Sequence, residues 1–190
     1  WGYSDGGLPL TAVLIYPKSQ FGADVSYNAG TGHIEYAANA STENISGVDS
    51  FKYYVTDSLG RYSSTYTANV TINAVADTPT LNINPAAISG NEDAEISLPV
   101  LGGILNDTDG SEVLSKVVSG IPVGAVLSDG TNSSNAASVD VSNWGNALTI
   151  QAPANSTVPF TLTVTATATE SSNNDQASTV KTIDVTVNEV

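Results

Sequence analysis

The acidic side chains of this chain gather in short clusters. The densest is the heptapeptide NDTDGSE at residues 106–112, which places Asp107, Asp109 and Glu112 within one segment. Calcium takes about six to eight oxygen ligands, and alternating acids before a glycine supply two carboxylates on one face of a tight turn. The segment therefore predicts a Ca²⁺ site, with solvated turn acids as the alternative.

Two further acidic clusters occur in the same half of the chain. Glu92 and Asp93 lie at the start of a predicted strand, and Glu170 and Asp175 lie in the turn of a predicted hairpin. The loops of a β-sandwich can converge at one end of the fold. We therefore expect these acids to join the calcium site of the 106–112 loop.

Asp77 lies between the two halves of the chain, in the segment Ala-Asp-Thr-Pro at residues 76–79. A lone Asp in a linker is most often a turn former. Together with Asp57 or Asp5 from the first half, its carboxylate would instead complete a second, junctional calcium site.

The composition excludes several classes of protein. The 190 residues include 19 acidic and 5 basic side chains, for a formal net charge of −14, so no basic stripe for nucleic acid is available. The chain has no Cys, which excludes disulfides, thiolate nucleophiles and Cys-based metal sites. The longest apolar run, 12–16, is far shorter than the roughly 20 residues of a membrane-spanning helix.

Catalytic constellations are also missing from the sequence. The single imidazole, His33, has no partners that would make a Ser-His-Asp arrangement or a zinc site. Asp107 and Asp109 fit metal binding better than paired acid and base catalysis. The sequence therefore predicts no enzyme.

The elements that must hold these acids are strands. Period-two alternation is clearest at 158–170, where Phe160 to Ala168 put apolar residues on one face and threonines on the other, and it returns at 177–190 after a polar turn. The threonine row is an ordinary solvated strand face, with ice binding as a weak alternative. The same hairpin pattern occurs at 51–57 and 62–75. In the second half the predicted strands are 80–84, 94–100, 113–121, 125–129, 137–142, 147–152, 158–170 and 178–188.

The two hairpins lie about 110 residues apart, which is typical of tandem modules. The sequence therefore predicts an all-β chain of two Greek-key β-sandwich modules, Ig-like or cadherin-like, at residues 1–76 and 77–190. The first module is shorter than the second, and we expect it to be incomplete at its N-terminus.

Several motifs in this order resemble the repeats of giant type I-secreted RTX adhesins of Gram-negative bacteria. GVDSFKYYVTDSLG at 47–60 is similar to bacterial cadherin-like modules, while NED at 91–93, DTDGSE at 107–112 and LSDG at 127–130 are similar to Ig-like extender repeats. The resemblance implies a calcium-stiffened rod of β-sandwiches. By position it assigns Asp107, Asp109 and Glu112 to the calcium loop, Glu92 or Asp93 to a strand-start acid and Asp77 to a linker acid.

Two functions remain as hypotheses. The first is a calcium-stiffened structural module of a bacterial cell-surface adhesin, extracellular and monomeric, whose partners are neighbouring modules and which positions ligand-binding domains for adhesion and biofilm formation. The second is direct recognition of surface glycans or peptides through aromatic residues near loops, namely Trp1, Tyr3 and Trp144. Trp144 has the alternative role of anchoring a turn.

Overall fold

The computed structural model describes residues 9–39, 42, 45–108, 110–145 and 147–190, and every regular element within them is a β-strand. The all-β prediction is confirmed. The strands are β1 (Leu10–Leu14), β2 (Asp24–Asn28), β3 (His33–Ala37), β4 (Gly47–Asp57), β5 (Tyr66–Ile72), β6 (Thr80–Asn82), β7 (Ala87–Asn91), β8 (Glu95–Ser97), β9 (Gly102–Ile104), β10 (Glu112–Ser119), β11 (Val126–Ser128), β12 (Ser133–Ser134), β13 (Ser138–Asp140), β14 (Thr149–Gln151), β15 (Phe160–Glu170) and β16 (Gln176–Asn188).

The chain divides into two compact units, Trp1–Ala74 and Val75–Val190. The division falls two residues before the predicted boundary, so Val75 and Ala76 belong to the second unit together with Asp77. Among the residues that the structure describes, no helix has the length and apolar character needed to cross a membrane.

The first unit is built on an antiparallel sheet of β1, β4 and β5, with β4 in the centre, and on a separate hairpin of β2 and β3. Alternation along the sheet places Leu14, Tyr53 and Tyr66 in register on one face. The buried apolar side chains in the described part of this unit are few: Ala23, Val25, Phe51 and Ala74. Most of the sheet's apolar face is therefore only half-buried.

The second unit contains a five-stranded sheet, in the order β13-β10-β15-β16-β7, and a four-stranded sheet, in the order β12-β11-β14-β8. All neighbours are antiparallel except β7 and β16, which are parallel. After β10 the chain crosses to the four-stranded sheet for β11 and β12, and returns at β13 on one side of β10. It then crosses again for β14 and returns at β15 on the other side of β10. This crossover is the Greek-key connection that the sequence predicts.

One continuous apolar core lies between these two sheets. Val118, Leu162 and Ile183 of the larger sheet and Leu127 and Ile150 of the smaller sheet are all completely buried. Burial of each such side chain contributes roughly 2 kcal/mol, so this core is the main stabilising element of the unit.

The strand predictions for the second unit are confirmed within a few residues at all eight positions. Three short strands, β7, β9 and β12, have no predicted counterpart. β7 includes Gly90, where a Cβ would come within 2.5 Å of Ile96, so the glycine allows β7 to lie against the second sheet. A strand that depends on such a close approach has no alternation signal of its own.

Candidate metal centre

Two glutamates lie opposite each other at one end of the five-stranded sheet. Glu112 is the first residue of β10, Glu170 is the last residue of β15, and the two are direct cross-strand partners. Glu170 continues the inward row of Leu162, Val164 and Ala168, because alternate residues of a strand share a face. The core-facing row of β15 therefore ends in a carboxylate.

Both side chains are removed from water. Glu112 is 7% exposed and Glu170 is 2% exposed. The Oε1 atom of Glu112 accepts a hydrogen bond from the backbone N–H of Asp77 at 2.5 Å. The Oε2 atom of Glu112 is buried and has no hydrogen-bond partner within the described ranges.

The start of the second unit is attached to this pair. Besides the bond from Asp77 to Glu112, the backbone N–H of Ala76 donates to Oδ2 of Asp175 at 2.9 Å. Asp175 closes the turn between β15 and β16, where its own carbonyl accepts from the backbone N–H of Glu170 at 2.9 Å. Two carboxylates thus fix residues 76 and 77 through their main-chain N–H groups.

The acidic loop between β9 and β10 is attached to the same end. The Nδ2 group of Asn106 donates to the carbonyl of Thr78 at 2.7 Å, and the N–H of Ser171 donates to the carbonyl of Ser111 at 3.0 Å. Within the loop, the hydroxyl of Ser111 donates to Oδ2 of Asp107 at 3.4 Å. Three separate segments therefore meet beside the glutamate pair.

This arrangement places two carboxyl groups side by side where water cannot solvate them. Removing one carboxylate from water is costly, and two adjacent carboxylates also repel each other. The ion pairs among the described residues are Lys18 with Asp24 and Arg61 with Asp57, both in the first unit. The acidic side chains that the structure describes at this end offer oxygen ligands, which suit a hard cation.

The described residues do not by themselves complete a metal site. Within the described ranges, no three acidic, Cys or His side chains lie close enough together to hold a metal ion. Asp109 of the same loop lies outside those ranges. The described residues thus provide a buried pair of carboxylates with further acids nearby. One oxygen of the pair, Oε2 of Glu112, has no hydrogen-bond partner within the described ranges.

The structure does not bring Glu92 and Asp93 to this end. Asn91, which precedes them, pairs with Asn188 at the C-terminal end of β16, whereas Gln176 at the other end of β16 pairs with Thr169, next to Glu170. A strand of this length spans about 40 Å. The expected convergence of the acidic loops holds for the 106–112 and 170–175 clusters and not for the 92–93 cluster.

Glu92 and Asp93 have local bonding of their own. The carboxylate of Glu92 accepts from the N–H of Val190 at 3.4 Å. Asp93 has a positive φ of 56° and accepts from the N–H of Asn155 at 3.0 Å. Both residues therefore organise a turn at the far end of the sandwich.

Asp57 belongs to the first unit and closes a turn there. Its Oδ1 accepts from the N–H groups of Leu59 and Arg61, each at 3.0 Å, and its Oδ2 pairs with Nε of Arg61 at 2.6 Å. Burial acts to raise the pKa of Asp57, but the hydrogen bonds and charge of Arg61 outweigh it and the pKa is lowered. The other predicted junctional acid, Asp5, lies outside the described residues.

Asp129 shows the solvated-turn alternative at work in the second unit. Its carboxylate accepts from the N–H groups of Thr131, Asn132 and Gly145 at 2.6–2.8 Å. The bonds from Asn132 and Gly145 hold the pKa of Asp129 far below its usual range. The carboxylate of Asp129 holds its loop together, and both of its oxygens accept hydrogen bonds, unlike those of Glu112.

Sequence reasoning missed a buried carboxylate in the first unit. Asp49 is completely buried; its Oδ1 accepts from the N–H groups of Phe21 and Ser50, and its Oδ2 accepts from the hydroxyl of Tyr36 at 2.8 Å. Burial acts to raise the pKa of Asp49, but the hydrogen bonds, led by that of Ser19, outweigh it and the pKa is lowered. Its position in the alternation of β4, two residues before Phe51, was the available signal.

Of the residues predicted for direct recognition, the structure describes Trp144. Trp144 is partly buried and packs against the core of the second unit, and its backbone N–H donates to the carbonyl of Val141. These contacts fit the alternative role of Trp144, which is to anchor a turn. Trp1 and Tyr3 lie outside the described residues.

No protein-family model matches the chain, and no curated protein matches its sequence. Solved structures with a related arrangement include N-cadherin EC1-4 of Drosophila, with 9% identity and a TM-score of 0.35 over 96% of this chain and 42% of that one. Protocadherin gammaB7 EC3-6 has 14% identity and a TM-score of 0.43 over 95% of this chain and 40% of that one. Human protocadherin-24 EC1-2 has 13% identity and a TM-score of 0.41 over 98% of this chain and 85% of that one.

The chain thus spans less than half of the first two structures. With identities of 9–14% and TM-scores of 0.35–0.43, these likenesses carry no argument about function.

Proposed function

We propose that the chain is a calcium-stiffened structural module of a bacterial cell-surface adhesin, in which neighbouring modules are its partners and Ca²⁺ binds at the end of the second unit defined by Glu112 and Glu170. The observation that carries the proposal is the buried Oε2 atom of Glu112, which has no hydrogen-bond partner within the described ranges. A buried carboxylate oxygen without a donor is destabilising unless a cation or a proton occupies it.

The ligands follow from the neighbourhood. Glu112 and Glu170 would supply the two buried carboxylates, and Asp77, Asp107 and Asp109 would supply oxygens from the two adjoining segments. Carbonyls and water complete calcium shells in proteins, so a full set of carboxylates is not required. This ligand set is a proposal, since the described residues alone do not form a three-acid group.

Bound calcium would neutralise the glutamate pair and link three segments. Residues 76 and 77, the 106–112 loop and the β15–β16 turn already meet here through hydrogen bonds. A divalent cation would add strong charge interactions among them. The unit would then be loose in low calcium and stiff in a calcium-rich medium.

The wider role as an extracellular adhesin module is supported by the all-strand architecture, the acidic charge and the resemblance of the sequence to adhesin repeats. The acidic side chains of a chain with a net charge of −14 repel one another, and a divalent cation reduces that repulsion. Export into millimolar calcium would therefore couple final folding to arrival outside the cell.

A melting experiment with separate spectroscopic signals tests the calcium proposal. All eight tyrosines lie within residues 1–74, and Trp144 is the only tryptophan of the second unit, so a Trp1→Phe chain reports the two units separately. In this chain, Trp144 fluorescence is followed on heating in EDTA, in Mg²⁺ and in increasing Ca²⁺. A rise of about 10 °C is expected at a hundredfold excess of Ca²⁺ over Kd, and above Kd the melting temperature should increase with the logarithm of the Ca²⁺ concentration.

The tyrosine signal of the same sample is the internal control. It should respond much less to Ca²⁺, because the proposed ligands all lie in the second unit. A Trp144 transition that is identical in EDTA and in excess Ca²⁺ would overturn the proposal.

A further inference from the structure

The first unit carries a groove that the calcium proposal does not use. Its cavity volume is about 690 Å³, and it is lined by Leu14, Ile15, Tyr54, Tyr62 and residues 63–65. Small-ligand sites in proteins have volumes of about 300–1,000 Å³. The groove is therefore large enough for one or two sugar rings.

Two tyrosine rings form one wall of the groove. The rings of Tyr54 and Tyr62 lie 6.3 Å apart with an interplanar angle of 70°, which is an edge-to-face contact. Such a contact covers a face of only one ring, and the Tyr62 side chain is 79% exposed. A broad aromatic face is thus presented to solvent beside the apolar side chains of Leu14 and Ile15.

Hydrogen-bonding groups are also available within the same groove. The hydroxyls of Tyr54, Tyr62, Ser64 and Thr65 make no hydrogen bond to any other described residue, and each can donate and accept. The groove therefore combines an apolar aromatic surface with unused hydroxyl groups at its rim.

The segment that carries Tyr62 is held in place by the central strand. The N–H of Ser63 donates to the carbonyl of Val55 at 2.8 Å, and the Ser63 hydroxyl accepts from the N–H of Val55 at 3.0 Å. Thr56 and Tyr62 form a β-bridge. Because these bonds involve the main chain and Ser63, the groove is pre-formed and the Tyr62 ring can be removed without removing them.

The lining also selects the charge of the ligand. None of the described residues that line the groove is charged, and the chain as a whole carries a net charge of −14. An anion would be repelled by the protein's field, and a cation would find no carboxylate among those lining residues. A neutral ligand with one apolar face and several hydroxyls fits this surface.

We propose that the Tyr54–Tyr62 groove binds a neutral carbohydrate, with the C–H face of a pyranose ring stacked on Tyr62 and its hydroxyls bonded to the rim. The site lies within the first unit and does not depend on the calcium proposal. Its occupancy should be the same in EDTA and in Ca²⁺ as long as the first unit stays folded.

The test uses saturation-transfer NMR and calorimetry with the full chain and four probes: methyl β-glucoside, methyl β-galactoside, sialic acid and choline. Binding of a neutral glycoside at millimolar concentration is expected. Tyr62→Ala should weaken that binding about tenfold, as expected for the loss of one aromatic stacking partner. Tyr62→Phe should weaken it less, because the ring remains.

Tyr16→Ala is the matched control, because Tyr16 is 70% exposed in the same unit and lies outside the groove. It should leave glycoside binding unchanged, and the near-ultraviolet spectrum should show that each variant is folded. The proposal is overturned if no neutral glycoside binds the folded chain. It is overturned equally if Tyr62→Ala and Tyr16→Ala have the same effect, or if only sialic acid or choline binds.

Discussion

The two units each bury a carboxylate, and they treat it in opposite ways. In the first unit, Asp49 is surrounded by donors, and both of its oxygens accept hydrogen bonds. In the second unit, Glu112 faces another carboxylate, Glu170, and keeps one buried oxygen that has no partner within the described residues. The first arrangement is complete without any ion, and the second is not.

The contrast teaches how to separate a structural acid from a metal ligand. Burial alone does not distinguish the two, because both carboxylates are more than nine-tenths buried. The number of donors aimed at each oxygen does distinguish them. On this criterion Asp57 and Asp129 resemble Asp49, and calcium binding by Asp57 stays a prediction.

The largest effect is expected from Asp49→Ala. The substitution would leave the Tyr36 hydroxyl and the N–H groups of Phe21 and Ser50 without their acceptor. Each unsatisfied buried donor costs about 1–3 kcal/mol, so the free energy of unfolding of the first unit should fall by about 3 kcal/mol or more. Chemical denaturation followed by tyrosine circular dichroism measures this loss, and a loss below about 1 kcal/mol would contradict the structural role.

The second-largest effect is expected from Glu112→Gln, and it is opposite in sign to that of Asp49→Ala. Glu112→Gln should raise the melting temperature of the second unit in EDTA, because it replaces one of two facing buried carboxyl groups with a neutral amide, and should abolish most of the gain from Ca²⁺. The wild-type gain is about 2.7 kcal/mol at a hundredfold excess over Kd. A variant that melts lower than wild type in EDTA and keeps the full calcium gain would exclude Glu112 as a ligand.

A smaller effect is expected from pH on the first unit. The pKa of Asp49 is lowered in the folded state, since its hydrogen bonds outweigh the effect of burial. Its contribution is therefore complete above the unfolded value of about 3.9 and is lost as the pH falls through the folded value. Melting from pH 6 to pH 2 should show a shallower decline of the tyrosine transition in Asp49→Asn, and parallel curves would contradict this assignment.

The smallest effect is expected from Glu92→Gln, which is the matched control for Glu112→Gln. It removes the same charge from the opposite end of the same unit. Calcium should stabilise this variant as much as the wild type, within about 1 °C. A lost calcium gain here would show that the metal binds at the end that holds the 92–93 cluster.

The part of the fold that depends on local alternation was predictable. The Thr and Val alternation of 158–170 and 178–188 predicted the β15–β16 hairpin, and the pattern at 51–57 and 62–75 predicted the pairing of β4 with β5. β7 was not predictable, because it is defined by parallel pairing with β16 and by the close approach at Gly90.

The candidate site was predictable in composition and not in geometry. Glu112 and Glu170 were predicted as loop and turn residues, whereas they end two strands and face the core. Extending the inward row of Ala166 and Ala168 by one step would have placed Glu170 inside. The distance between Glu92 and Glu170 depends on the parallel register of β7, which the sequence does not reveal.

The most direct measurement is a crystal structure of the chain grown with Ca²⁺, in which anomalous scattering locates the ion. If Glu112 and Glu170 bind calcium, an anomalous peak is expected about 2.3–2.6 Å from Oε2 of Glu112 and within ligand distance of Glu170. A well-ordered second unit with no peak beside Glu112 would contradict calcium binding by this pair. So would a structure in which the ion is bound only beside Glu92 and Asp93.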